Sequence, residues 1–182
     1  MAVSSTSGIG TDGACRAMSD LQRFVDAQDH GTTKYGFLTA TLSTALEELQ
    51  NGHKQEHWIW YVLPQIRHET ATKGPSIDFA ISSLDEAVGY LKHEILRNRY
   101  LETTTIILGH LTSGLSPFVL MGKTIDVQKL ASSVTLFSLT AKSIGDDEVL
   151  SVTTAILDRL EHARCKVDAC AMTIDWFAAQ ST

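Results

Sequence analysis

Residues 126–141 read DVQKLASSVTLFSLTA, and this stretch decides the fold class. Val127, Leu130, Ala131, Val134 and Phe137 recur at the spacing of one apolar face on a 3.6-residue helix. A half-buried strand would alternate apolar and polar residues, and this stretch does not. The same test extends outward in both directions. Beyond Gly145, the acids Asp146, Asp147 and Glu148 open a helix whose inward side is Val149, Val152, Ile156 and Leu160. Acids in a first turn suit the helix dipole. A last short helix carries Met172, Trp176 and Phe177.

Toward the N-terminus, Gly109, Gly114 and Pro117 break the chain, and a helix over about 94–110 precedes them. Its β-branched run 103–107 argues against helix. Ser83 caps a helix with the stripe Leu84, Ala87, Val88 and Leu91, and Glu86 completes a capping box. Residues 66–76 lack periodicity and form a loop. In the aromatic run His57-Trp58-Ile59-Trp60-Tyr61-Val62-Leu63-Pro64, Pro64 should end any helix near Val62. A helix over about 37–50 buries Leu38, Leu42, Ala45, Leu46 and Leu49, with Asn51-Gly52 closing it. Ser19 caps the first helix, whose stripe is Leu21, Phe24, Val25 and Gln28. Residues 1–17 read as a flexible tail. Strict alternation is nearly absent, so residues 18–180 are expected to form an all-α, compact single-domain bundle of about seven helices.

Composition narrows the function classes. The chain has 182 residues, 43% hydrophobic and 20% charged, as one globular domain should. Its net charge is −6, and its one dense basic stretch, 92–99, is interrupted by Glu94. Nucleic-acid binding is therefore not expected. No apolar run approaches the roughly 20 residues of a membrane helix. The N-terminus has no secretory pattern, and the odd set Cys15, Cys165 and Cys170 does not suggest a disulfide framework. A cytoplasmic protein is expected. Gly8-Ile9-Gly10-Thr11-Asp12-Gly13 matches G-x-G-x-x-G but follows no strand, so no dinucleotide cofactor is inferred from it. His53 and His57 have i, i+4 spacing without H-E-x-x-H, and no metal or cofactor site is expected.

Three polar groups could carry chemistry. Gln28 lies on an apolar stripe, where a buried amide needs partners. Lys54, His57, Trp58, Trp60, Tyr61 and Gln65 form a polar, aromatic cluster suited to a planar ligand, with His57 able to move a proton. The bland account makes both tryptophans core and Lys54 surface. Glu86, Tyr90, His93 and Arg97 fall on one helical line, as a solvated face or an acid–base site would. Lys129 with Ser132 and Ser133 could form a Ser–Lys pair, although a capped polar face explains them more simply.

Four blocks in order carry a resemblance. They are Leu21-Gln22-Arg23-Phe24-Val25-Asp26-Ala27-Gln28; Leu46-Glu47-Glu48-Leu49 through Lys54 to His57-Trp58-Ile59-Trp60-Tyr61-Val62-Leu63-Pro64-Gln65; Ser83-Leu84-Asp85-Glu86-Ala87 with Tyr90-Leu91 and His93; and Lys129-Leu130 with Ser132-Ser133 and Thr135-Leu136-Phe137. Over about residues 19–165 the chain resembles the all-helical family called domain of unknown function eighteen-ten, sometimes loosely labelled calpastatin-like. The resemblance implies a compact helical domain and no particular reaction. It also implies that Arg23, Gln28, Lys54, His57, Trp58, Trp60, Gln65, Glu86, Tyr90, His93, Arg99 and Lys129 share one constellation. The chain departs from the family at residues 66–72, where His68 and Glu69 would add an acid–base pair, and at 121–126. Both are loops, where specificity is usually set.

The leading expectation is a metal-independent enzyme acting on a small organic molecule by acid–base chemistry. His57, His93 and Glu86 would be catalytic. Arg23, Gln28, Lys54, Trp58, Trp60, Gln65, Tyr90, Arg99 and Lys129 would bind substrate. One alternative is a non-catalytic domain that binds a small molecule or protein and regulates. Another is an ADP-ribose or NAD-type nucleotide site, with a tryptophan stacked on the base and Arg23 or Arg99 on phosphate.

Overall fold

The structure, a computed structural model, describes residues 11–67, 73–164 and 166–180, with residues 11–20 as backbone only. The described residues form ten helices and no strand. Seven are the expected long ones: α1 (Thr11–His30), α2 (Leu42–Gln50), α5 (Leu84–Lys92), α6 (Glu94–Thr112), α8 (Thr124–Ile144), α9 (Asp147–Glu161) and α10 (Ala171–Gln180). The other three are pieces of four or five residues: α3 (Ile59–Val62), α4 (Pro75–Asp78) and α7 (Pro117–Met121). Proline sits in the first turn of α4 and α7, where its missing N–H costs nothing.

α8 is the central element. Thirteen of its residues are buried, including Val127, Leu130, Val134 and Phe137, and it packs against α5, α7, α9 and α10. An aromatic column crosses the core. Ring centroids run Tyr61 to Phe79 at 5.2 Å, Phe79 to Phe24 at 5.9 Å and Phe24 to Tyr90 at 5.3 Å, then Tyr90 to Phe137 at 5.0 Å and Phe137 to Tyr100 at 4.6 Å. It ties α3, α1, α5, α8 and α6 together through tilted and edge-on contacts.

Several boundaries differ from the sequence reading. α1 begins at Thr11, so Ser19 lies inside it and residues 11–17 are helical; residues 1–10, with the first two glycines of the G-x-G-x-x-G match, lie outside the described residues. α2 begins at Leu42, capped by Thr41, whose side chain accepts from the Thr44 N–H. Phe37 and Leu38 precede it and are exposed, not buried. Gly109 lies within α6. The β-branched run there is helical nonetheless, and its buried hydroxyls are satisfied: Thr103 and Thr104 donate to the Arg99 and Tyr100 carbonyls at 2.8 Å.

Two glycines are required by close approach. Gly31 has φ +65°, and a Cβ there would stand 2.2 Å from the Thr39 carbonyl oxygen. Gly122 has φ +72°, and a Cβ would stand 2.9 Å from the Lys54 carbonyl oxygen. The second contact, with Lys54 N–H donating to Leu120 O at 2.7 Å, holds the segment before α3 against the end of α7. Among the described residues no helix is long and apolar enough to cross a membrane.

Candidate functional site

The predicted site residues are sorted into separate networks. In the first, the Arg23 guanidinium pairs with Glu86, and Arg23 also donates to the Asp78 and Ala80 carbonyls at 2.9 and 3.1 Å. The other Glu86 oxygen accepts from the Ser82 N–H and hydroxyl at 2.7 and 2.6 Å. The capping box therefore closes on Ser82, one residue before the cap Ser83. Both Glu86 oxygens are engaged, one tying α5 to α1 and the other holding the turn that leads into α5.

The second network surrounds Gln28, which is buried and fully partnered. Its amide donates to Tyr61 O at 2.7 Å and to the Tyr90 hydroxyl at 3.4 Å, and it accepts from Arg99 at 3.1 Å. Arg99 pairs with Asp29 at 2.6 Å. Burial pushes the Tyr90 phenol far above its ordinary value, so it stays protonated. Tyr90 is therefore core, not part of a solvated line with Glu86, His93 and Arg97. That line is broken again at His93, which ends α5 and caps α6. Arg97 lies further on and grips Asp146 at 2.7 and 2.8 Å.

The third network holds the Lys54 cluster. Lys54 is 6% exposed, and its Nζ meets Asp126 at 2.9 Å and the Glu56 carbonyl at 2.8 Å. Lys129 meets the other Asp126 oxygen at 3.1 Å. Burial raises the Asp126 carboxyl, but hydrogen bonding and charge from Lys54, with Lys129 adding to both, outweigh it and hold it below the usual carboxylate value. The two ammonium groups also lie over tryptophan rings, Lys54 5.0 Å from Trp58 and Lys129 4.8 Å from Trp60. Trp58 is fully enclosed, and its Nε1 donates to Glu48 at 2.8 Å. It is a core residue and offers no face to a ligand. The Tyr61 phenol, pushed up to about 12 by burial, donates to the Ala40 and His57 carbonyls and is structural too.

His57 is exposed, its ring stacked on Trp60 at 6.3 Å and tilted against Phe37 at 5.0 Å. Residues 53–57 are not helical, so the His53–His57 spacing places them on no common helix face. Among the described residues no group of three His, Cys, Asp or Glu side chains is placed to hold a metal ion. His68 and Glu69 lie outside the described residues, as do Cys165 and the side chain of Cys15.

Two predicted residues, Gln65 and Lys129, line one cavity of about 340 Å³. One wall is the outer face of α8, with Ile125, Gln128, Lys129, Ala131 and Ser132. Gln65 and Ile66 form a second side, and Val167, Asp168, Cys170 and Met172 the third. Gln65 Nε2 is a buried nitrogen without a hydrogen-bond partner among the described residues. Asp168 is paired with Lys166 at 2.9 Å, which offsets its charge at the rim. Sequence reasoning missed Asp126, although its i, i+3 relation to Lys129 was a signal. It also missed the 167–172 wall, which carries no motif.

The model of the family described as protein of unknown function (DUF1810) matches residues 18–164. The chain belongs to this family. The DUF1810 domain is also similar to a crystal structure titled as the conserved hypothetical protein Rv1873 from Mycobacterium tuberculosis. That protein shares 30% identity at a TM-score of 0.64, over 87% of this chain and 96% of that one. No curated protein matches the chain. In this DUF1810 domain α1 to α9, Gln65 and Lys129 fall largely inside the family match, whereas residues 167–172 fall beyond it.

Proposed function

We propose that this DUF1810 domain binds a small organic anion in the cavity between α8, Gln65 and the 167–172 segment. One observation carries the reading: Gln65, whose side-chain nitrogen is buried without a hydrogen-bond partner among the described residues, lines the same cavity as Lys129. A buried donor without an acceptor costs about 1–3 kcal/mol. A ligand carboxylate supplies that acceptor and meets Lys129. Ile66, Ile125, Ala131, Val167 and Met172 offer the ligand body an apolar surface. The ligand class is thus an amphiphilic carboxylate or a compact organic phosphate.

The acid–base enzyme draws less support. Glu86 is committed to Arg23 and Ser82, and His93 accepts the Leu96 N–H at 3.4 Å as the α6 cap. Neither these residues nor His57 line this cavity. The nucleotide reading loses Trp58 as a stacking surface, and Arg23 and Arg99 do not line this cavity. A cytosolic setting belongs to the same proposal; the free Cys170 thiol suits a reducing compartment.

Thermal-shift titration with benzoate, octanoate and acetate tests the reading. At a hundred times its Kd, a ligand adds about 2.7 kcal/mol, or about 5–10 °C in a chain of this length. Benzoate or octanoate should raise Tm more than acetate, and Lys129→Gln should remove the gain. Equal shifts in the parent and in Lys129→Gln would refute it.

A further inference from the structure

The third side of the cavity comes from sequence beyond the family match, which ends at residue 164. Its large apolar side chains Val167, Met172, Trp176 and Phe177 pack against the core but are only half-buried. Of the residues of α10, Thr173 alone is fully buried, while Met172, Trp176 and Phe177 are half-buried and Ile174 is 43% exposed. Thr173 exchanges a hydroxyl hydrogen bond with buried Ser132 on α8 at 2.9 Å. One helical turn further along α8, the Thr135 hydroxyl accepts the Cys170 N–H at 3.1 Å. Val167 N–H returns to the Leu160 carbonyl at 3.0 Å. Elements with little buried apolar area open locally at low free-energy cost.

We propose that residues 166–180 form a detachable wall, latched by Thr173 to Ser132, whose docking completes the anion cavity. The inference rests on the cavity reading above. Val167 and Met172 supply the wall's apolar face, and Thr173 positions them. Ser132 is shared between latch and cavity lining. Removing the Thr173 hydroxyl leaves the Ser132 hydroxyl without that partner in a buried setting, which drives the wall off α8. The family core then keeps two sides of the cavity and loses the third.

Cys170 reports on the wall because it lines the cavity and is half-buried. In a full-length chain carrying Cys15→Ser and Cys165→Ser, it is the single thiol. Its alkylation by the neutral reagent iodoacetamide reads docking. Thr173→Val should react at least about fivefold faster than the parent, a change well outside the scatter of independent sites, and Thr173→Ser should keep the parental rate. Ser132→Ala gives the same acceleration from the α8 side. Parental rates in both Thr173→Val and Ser132→Ala would overturn the wall, as would a parental Cys170 that already reacts as fast as glutathione. Lys129→Gln tests the anion reading separately: it should slow iodoacetate relative to iodoacetamide. An unchanged ratio there, with accelerated Thr173→Val, supports the wall and counts against the anion reading alone.

Discussion

Asp126 is 5% exposed and takes one ammonium group on each oxygen. Removing one partner of a buried pair leaves the other charge desolvated, at a cost of about 3–5 kcal/mol. Asp126→Asn should lower stability by about that amount, read from the urea midpoint at pH 7. A loss below about 1 kcal/mol would mean that Lys54 and Lys129 find water or another acceptor, as surface pairs do. Trp58 belongs to the same scale. Two tryptophans in three residues are compatible with either a ligand platform or a core, and exposure separates them: Trp58 is enclosed on Glu48, while Trp60 is half-buried under Lys129. Sequence alone gives both the same spacing.

The long helices were legible because each has an apolar stripe, a cap or an acidic first turn that agrees with the others. Ser83 caps as its sequence suggests, and Asp146, read as a first-turn acid, proves to be a cap as well, each accepting the N–H three residues on. Of the short helices only the end of α3 at Val62 was legible, from Pro64; four or five residues hold too little periodicity to distinguish a turn from a helix. The joints between elements depend on contacts distant in sequence. Gly31 is such a joint: its left-handed backbone turns α1 toward Thr39, which donates its N–H to Thr32 O at 2.9 Å. Gly31→Ala should cost more than the about 1–2 kcal/mol of the backbone conformation alone, because the new methyl group meets the Thr39 carbonyl. Calorimetric Tm checks it, and an unchanged Tm would show that the Thr32–Thr39 turn yields freely. One line of polar residues read from the sequence also breaks at this scale. Glu86, Tyr90 and His93 look collinear on one helix, but α5 ends at Lys92 and the line breaks.

Across the whole molecule, three carboxylates join distant segments and titrate low. Asp126 is held down by its two lysines against burial, Asp146 mainly by the Arg97 hydrogen bonds, and Asp78 mainly by the Tyr35 hydroxyl with Lys34. Each folded pKa lies below the unfolded value of about 3.9. Their stabilisation is therefore complete above that value and is lost as pH falls through the folded values. The urea midpoint should be level from about pH 5 to 7 and fall steeply below about pH 4. Asp146→Asn should flatten that fall, and the parental slope in this variant would contradict the assignment. The same long-range assembly brings Gln65, Lys129 and the C-terminal segment around one cavity from three parts of the chain. Backbone amide and side-chain amide shifts of the isotope-labelled domain, followed during titration with benzoate, test that cavity as the binding site most directly. Saturable shifts centred on the Gln65 side-chain amide, Ile66, Gln128 and Met172, absent in Lys129→Gln, are the predicted result. Shifts centred elsewhere, or none at millimolar benzoate, would contradict it.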